Sequence, residues 1–274
     1  AHQQARLLKT LVERRITAAE SIEEENGKNN TTTTTTTTTV PATDEPAEKP
    51  TTLDKEHRAL LKVYELNLDN KPRIVIPRKV IDQFLKDYRT ASAVEPYADR
   101  RGQAKFRNLE GYEQLAVFFA AQARPLYKDV VVRDEPEALE AFRTKVNPRY
   151  VVAYFARQFG KTPVSGVNLL TVSPNSEEAA YTNFLMLHRA SVNGAKMIDR
   201  DRPDQSLLLQ WGLPRDEATF PASADLKNWR PYFTGKEDER YVEMLQWVAS
   251  LYRPSPQYPI EFAPAAPEAP KGDE

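Results

Sequence analysis

An uninterrupted run of threonines at residues 31–39 sets the first limit on how this chain folds. The run carries no apolar side chain, so burial cannot offset the conformational entropy that folding would cost it. Three prolines at positions 41, 46 and 50 continue the same bias. We therefore predict a disordered Thr/Pro-rich linker at residues 26–52. This composition is typical of glycosylated stalks, and also of a repeat that has expanded in a linker tolerant of insertion.

The residues before the linker favour one amphipathic helix. Within residues 1–25, apolar side chains recur at three- and four-residue spacing, which places them on one face. Such a face either packs on its own domain or docks on another helix. The stripe is short and contains Arg15, which disfavours a stable coiled coil. Its apolar members are Leu8, Leu11, Val12, Ala19 and Ile22.

The chain after the linker has the same helical spacing of apolar residues, so its predicted fold class is mainly α. We predict a helical subdomain at residues 53–146 and a second helical domain at residues 147–262. The tail at residues 263–274 is rich in Ala, Pro and Glu. Such a composition buries too little apolar surface to fold, so the tail is predicted to be disordered.

Capping residues and prolines predict where several helices begin. Asn147 followed by Pro148 is the pattern of an N-cap with a proline in the first turn. Three further side chains can accept hydrogen bonds from the first backbone amides of a helix. These predicted N-caps are Asp134, Ser176 and Asp201.

Three connections between helices also carry predictions. Residues 73–76, Arg-Ile-Val-Ile, lie between two prolines, which favours an extended piece. The loop after Pro163 admits a short strand at residues 168–171. Arg100 and Arg101 are assigned to a polar, solvated connection.

Charge and hydropathy exclude several classes of protein. The chain has 38 basic and 39 acidic residues and a formal net charge of −1. A dedicated nucleic-acid-binding protein normally has a basic excess, so no nucleic-acid partner is predicted. No apolar run approaches the roughly 20 residues that span a bilayer, so no transmembrane segment is predicted. The sequence begins with Ala1 and has no apolar leader, which suggests that a leader was removed.

The absence of cysteine removes disulfides, thiolate nucleophiles, iron–sulfur clusters and cysteine zinc sites together. The chain has three histidines, and no two of them have the spacing of metal ligands. We therefore predict no metal site. No Gly-x-Ser-x-Gly segment is present, which argues against a hydrolase of that type. The histidines are His2, His57 and His188.

Two segments resemble known ligand-binding motifs but lack their other members. Gly160-Lys161-Thr162 matches the end of a phosphate-binding loop, yet the position that requires the first glycine is Phe155. Asp199, Asp201 and Asp204 form an acidic triplet without the glycine and terminal glutamate of a calcium-binding loop. We predict neither a nucleotide site nor a calcium site from these residues.

Aromatic residues are concentrated towards the C-terminal end. Large aromatic side chains dominate protein cores, so we predict that most of them are buried. The alternative is that they line a groove for a sugar or a peptide. The set consists of Trp211, Trp229, Tyr232, Phe233, Trp247 and Tyr252.

Several segments within residues 147–262 resemble the cytochrome-c-like exported proteins of planctomycetes, a family that is mostly uncharacterised. The most specific of them runs from Arg202 to Pro214 and contains three consecutive leucines followed by Gln-Trp-Gly. A short segment at residues 72–77 also resembles the region that precedes this domain. The resemblance implies a periplasmic or otherwise extracytoplasmic location. The other matching segments are residues 181–187, 229–231, 238–241 and 247–254.

The resemblance also implies where a related protein would attach its haem. Relatives commonly carry Cys-x-x-Cys-His-Gly, and the matching stretch here is Phe155-Ala-Arg-Gln-Phe-Gly160. The thioether positions are then Phe155 and Gln158, and the proximal ligand position is Phe159. No cofactor is therefore predicted, and the two phenylalanine rings are expected to fill part of the vacated space. Candidate axial ligands for a non-covalent haem are His188, Met186 and Met197.

These observations lead to one functional prediction and two alternatives. The prediction is a non-enzymatic, exported binding or assembly protein, built on a haem-less cytochrome-c-like domain and acting through a protein partner. The first alternative is an electron-transfer protein with non-covalent haem. The second is a carboxylate-dependent enzyme that acts on polysaccharide or cell-wall material. No catalytic residue is assigned.

Overall fold

The computed structural model describes residues 52–159, 169–224, 226, 228–253 and 255–262. The predictions for the N-terminal helix, for the linker up to residue 51, for Gly160-Lys161-Thr162 and for the tail lie outside the described residues, as does His2. Of the described residues, 76–129 form the first compact unit. The second compact unit consists of residues 52–75 together with the chain from residue 130 onward.

The structure is mainly helical, as the spacing of apolar residues predicts. Two short antiparallel ladders pair β1 (Ile74–Val75) with β2 (Val131–Val132), and β3 (Ser191–Val192) with β4 (Ala195–Lys196). A π-helix, Phe142–Phe155, separates α5 from α6. The α-helices are α1 Lys55–Tyr64, α2 Arg78–Asp87, α3 Arg100–Arg107, α4 Gly111–Ala120, α5 Glu137–Ala141, α6 Ala156–Phe159, α7 Glu177–Arg189, α8 Leu207–Gln210 and α9 Glu239–Ser250.

The first unit packs α2, α3 and α4 around stacked phenylalanine rings. The ring centroids of Phe84 and Phe118 lie 4.0 Å apart, and Phe106 lies 5.6 Å from Phe84. All three side chains are fully buried. Arg100 and Arg101 begin helix α3 rather than a polar connection, because the Asp99 side chain accepts a hydrogen bond from the backbone of Gly102.

The second unit is organised around α7, whose residues 179–187 are all buried. Ser176 caps this helix as predicted, since its Oγ accepts a hydrogen bond from the amide of Ala179 at 3.1 Å. The extended piece at residues 73–76 is confirmed by the pairing of β1 with β2. The proposed strand at residues 168–171 is wrong for its described part, Leu169–Thr171, where the side chain of Asn183 binds both backbone groups of Leu170.

The predicted helix start at Asn147 and Pro148 is wrong. Both residues lie inside the π-helix, which packs against α7. The Asn147 side chain does not cap this helix; it donates to the carbonyl of Pro174 and accepts a hydrogen bond from Asn183. The predicted boundary between residues 146 and 147 also falls inside this π-helix. The domain bounds 53–146 and 147–262 stay a prediction.

Two other predicted caps have different roles. Asp134 lies before the helix, but Pro136 is the N-cap residue of α5, and the Asp134 carboxylate pairs with Arg73. Asp201 is not the cap of the short 3₁₀ helix at Pro203–Gln205, which has no side-chain cap. In the part of the chain that the structure describes, no helix has both the length and the apolar content to cross a bilayer.

Candidate functional site

The positions that the resemblance would align with a haem-attachment motif lie at the junction of the π-helix and α6. Phe155 and Phe159 are fully buried, and their ring centroids lie 4.7 Å apart. Both rings pack against Trp211, at 5.9 Å and 5.0 Å respectively. Gln158 lies on α6 and is half-buried. The two phenylalanines therefore belong to an aromatic core.

The three candidate axial ligands occupy different environments. Met197 is fully buried and Met186 nearly so. Met186 and His188 are two residues apart on α7, so they point about 200° apart around the helix. Both ring nitrogens of His188 have partners, because Nε2 donates to the carbonyl of Pro256 at 3.1 Å and Nδ1 accepts from Arg200 at 3.3 Å. An iron bond to His188 would require one of these hydrogen bonds to break.

His188 belongs to a buried polar cluster that consists of Glu65, His188, Arg200 and Tyr258. The Arg200 Nη1 donates to both carboxylate oxygens of Glu65, at 2.9 and 3.1 Å, and both side chains are fully inaccessible to solvent. Nη2 of Arg200 donates to the Tyr258 hydroxyl at 2.8 Å, and that hydroxyl donates to Glu65. The cluster joins residues that lie up to 193 positions apart in sequence.

Burial shifts the pKa of two members of this cluster, His188 and Tyr258. Desolvation, aided by the positive charge of Arg200, lowers the pKa of His188 to about 3. The ring is therefore neutral at pH 7, which agrees with Nδ1 acting as an acceptor. Burial and the charge of Glu65 raise the pKa of Tyr258 well above its ordinary value, so its hydroxyl stays protonated.

The aromatic core next to Phe155 depends on Gly212. A Cβ atom at this position would lie 2.5 Å from the Phe233 ring and 2.7 Å from the Tyr150 hydroxyl. The carbonyl of Gly212 accepts hydrogen bonds from the amides of Tyr232 and Phe233, both at 2.9 Å. Glycine at this position thus allows the loop that carries Tyr232 to lie directly against the core.

An aromatic–arginine surface, consisting of Tyr154, Arg215, Trp229, Tyr232 and Arg240, lies on the outer side of this core. The rings of Tyr154, Trp229 and Tyr232 are half-buried, whereas both arginines are exposed. The guanidinium of Arg215 lies 4.6 Å from the Trp229 ring centroid, and that of Arg240 lies 4.8 Å from the Tyr232 centroid. Tyr154 and Tyr232 have centroids 5.1 Å apart, so the surface is continuous.

Hydrogen bonds to carbonyls fix the rings of this surface. The Tyr154 hydroxyl donates to the carbonyls of Arg230, at 2.8 Å, and Trp211, at 3.3 Å. The indole of Trp229 donates to the same Trp211 carbonyl at 3.2 Å. Burial raises the pKa of Tyr154, although its hydrogen bond with Trp229 opposes the shift. The surface therefore presents a neutral tyrosine in one orientation.

The two arginines are also held in place by polar contacts. Arg240 makes an ion pair of 2.6 Å with Asp238, which is the N-cap of α9. Hydrogen bonds from Arg240 and Thr234 keep the pKa of Asp238 well below its ordinary value. Arg215 donates to the carbonyls of Ala222 and Ser223, at 3.3 and 2.9 Å. Each guanidinium is thus oriented against its ring and keeps an exposed edge.

Within the acidic triplet, Asp199 stabilises a turn of the backbone. The Asp199 carboxylate accepts hydrogen bonds from the amides of Asp201 and Arg202, both at 3.1 Å, and shapes the turn that precedes Pro203. Within the described ranges, no group of three histidine, aspartate or glutamate side chains is placed to hold a metal ion.

A comparison of the chain with models of known protein families, with curated proteins and with solved structures finds no match. The site is therefore defined by its geometry alone. The sequence predicts an aromatic set in this region but does not single out Arg215 and Arg240. No local sequence pattern identifies these two arginines, because Arg215 lies 14 residues from Trp229 and Arg240 lies 8 residues from Tyr232. Arg240 lies two residues after the cap Asp238.

Proposed function

We propose that this chain is a non-enzymatic binding or assembly protein, and that a partner protein docks on the aromatic–arginine surface. The observation that carries the proposal is the pairing of two exposed guanidinium groups with two half-buried rings, Trp229 and Tyr232. Tryptophan, tyrosine and arginine are the residue types that contribute most binding energy at protein interfaces.

The rigidity of this surface supports the same proposal. The rings of Tyr154 and Trp229 are held by the carbonyl of Trp211, which itself packs on fully buried phenylalanines. Side chains that are fixed before binding lose little entropy when a partner docks. A stacked sugar is favoured less, because a guanidinium already covers one face of Trp229 and one of Tyr232.

Two further parts of the proposal rest on the resemblance to exported, haem-less cytochrome-c-like proteins. It supports an extracytoplasmic location and a domain that folds without a cofactor. The packing of Phe155 and Phe159 against Trp211 supports the second point, because these rings occupy space at the positions where a relative would attach haem.

The experiment uses a photo-crosslinking amino acid in place of Arg230, whose exposed side chain adjoins the surface. A matched chain carries it in place of Lys105, which is exposed in the first unit. We expect a defined adduct in the native source from position 230 alone. The adducted protein, once purified, is expected to bind Trp229→Ala and Arg215→Ala about 30-fold more weakly than the unchanged chain.

Arg253→Ala is the matched control, since it removes the same charge from an exposed position outside the surface. We expect it to bind the partner like the unchanged chain. Equal affinity for all the variants, or recovery of the chain as a free monomer without any adduct, contradicts the proposal.

A further inference from the structure

The tyrosine segment, residues 255–262, is held by the second unit as an extended peptide. The segment contains no helix and pairs with none of the described strands. Residues 256–261 alternate between buried and exposed positions, as expected for an extended chain in a groove, whereas Ser255 and Phe262 are half-buried. The buried residues are Pro256, Tyr258 and Ile260, and the exposed ones are Gln257, Pro259 and Glu261.

Tyr258 anchors this segment. Its ring lies edge-on to Tyr64, at 5.7 Å, and to His188, at 4.8 Å. Its hydroxyl is hydrogen-bonded to Arg200 and Glu65 at the centre of the buried polar cluster. Removal of the segment would leave the Glu65–Arg200 pair without this partner, so the groove is incomplete without a tyrosine.

The groove also recognises the backbone on both sides of the anchor. The His188 Nε2 donates to the carbonyl of Pro256 at 3.1 Å, and Arg189 donates to the carbonyl of Ile260. These residues are consecutive on α7, so one helix end holds carbonyls two residues before and two residues after Tyr258. Together, these contacts recognise an extended peptide of the sequence Pro-x-Tyr-x-Ile.

We propose that the groove of one copy accepts the tyrosine segment of a second copy, which yields a segment-exchanged dimer. The exchanged dimer keeps every contact of the segment, so it differs from the closed monomer mainly in its connection and in the entropy of association. Only residues 253 and 254 connect the segment to Tyr252, whose carbonyl is bound by Arg200. The rings of Pro256 and Pro259 fix φ, so the released segment loses little entropy when it is held extended again.

The first test mixes an affinity-tagged full chain with an untagged one at about 1 mM, near the effective concentration of a tethered segment. After dilution, we expect the tag to retain untagged chain. Exchange requires the segment to leave its own groove, so Tyr258→Phe, which removes the hydroxyl contacts, is expected to reach the plateau about tenfold faster.

Gln257→Ala is the control, because it changes an exposed neighbour of the anchor. It is expected to exchange at the rate of the unchanged chain. The proposal is overturned if no untagged chain is retained in any of these proteins. It is equally overturned if Tyr258→Phe exchanges at the unchanged rate, since another surface then holds the dimer.

The second test locates the segment directly, and the lack of native cysteine makes it simple. One copy carries Arg189→Cys and an isotope-labelled copy carries Glu261→Cys, next to the residue that Arg189 contacts. A short bismaleimide is expected to join position 189 of one copy to position 261 of the other. A single chain that carries both Arg189→Cys and Glu261→Cys serves as the reference for a link within one copy. If the cross-link forms in that chain but not between the two singly substituted copies, the segment stays in its own groove and the proposal is wrong.

Discussion

The two compact units differ in the polarity of the side chains that they bury. In the first unit the core is almost wholly apolar, and Gln114 is its one buried polar side chain among the described residues. In the second unit the buried set includes an ion pair and several amides and hydroxyls. These are Glu65, Asn147, Thr182, Asn183, Asp199, Arg200, Ser206 and Gln210.

This difference shows which property stabilises each core. Apolar packing is non-directional, so the stacked rings of Phe84, Phe106 and Phe118 gain stability from burial in any well-filled arrangement. A buried charge is tolerated only when its partner is present in the right geometry. The second unit therefore depends on a few long-range pairings, whereas the first depends on the volume of its core.

The largest expected effect comes from the ion pair of the second unit. Arg200→Met leaves the carboxylate of Glu65 buried without a counter-charge, which we expect to cost about 3–5 kcal/mol. Urea unfolding followed by tryptophan fluorescence measures this loss, since Trp211, Trp229 and Trp247 all lie in the second unit.

The double variant Glu65→Leu with Arg200→Met is the control. Replacement of a whole buried ion pair by apolar residues is often nearly neutral. The Tyr258 hydroxyl and the His188 Nδ1 still lose partners, so we expect an intermediate cost of about 1–3 kcal/mol. A double variant as unstable as the sum of its single variants would show that the pair itself is not the critical feature.

Glycine substitutions test steric packing in both units. In Gly102→Ala the new Cβ would lie 2.5 Å from the carbonyl oxygen of Pro96, and in Gly212→Ala 2.5 Å from the Phe233 ring. We expect each to cost about 1–3 kcal/mol. Hydrogen exchange followed by mass spectrometry assigns each loss to its unit. Gly235→Ala is the control, because its new Cβ meets only the flexible end of Glu217; a comparable loss there would contradict the steric explanation.

The helical spacing of apolar residues predicts much of the first unit. The stripe of Val80, Ile81, Phe84 and Leu85 is buried on α2, because i, i+3 and i+4 positions share a helix face. Helix α4 stops at Ala120 and Gln122 adopts a φ of 53°, so the chain turns before Pro125.

The polar core of the second unit was beyond prediction for a physical reason. Glu65 and Arg200 are 135 residues apart, and no local pattern distinguishes them from charges on a solvated face. The same limit applies to Asn147, which has the sequence signature of a cap but bonds to Asn183 inside the fold. The buried rings of Phe155 and Phe159 follow from their spacing, whereas the arginines over Trp229 and Tyr232 do not.

The pH dependence of stability should be confined largely to the second unit, which contains His188. Its pKa of about 3 in the folded state, against about 6.5 unfolded, means that the unfolded chain binds the proton first. This contribution is complete above about pH 6.5 and declines as the pH falls towards 3. We expect a loss of about 2 kcal/mol between pH 7 and pH 5, measured by urea unfolding. His188→Gln should remove that part of the slope; an unchanged slope would show that other groups cause it.

The smallest expected effect lies on the aromatic–arginine surface. Arg215→Gln removes a cation–π contact at an exposed position, so we expect a loss of at most about 1 kcal/mol in the free energy of urea unfolding. Arg253→Gln, at another exposed position, serves as the matched control and should change it by less than about 0.5 kcal/mol. A loss for Arg215→Gln close to that of Arg200→Met would mean that the surface supports the fold. A small loss would separate the two roles of arginine in this unit, since Arg200 would then maintain the core while Arg215 could be exchanged to measure partner binding in a folded protein.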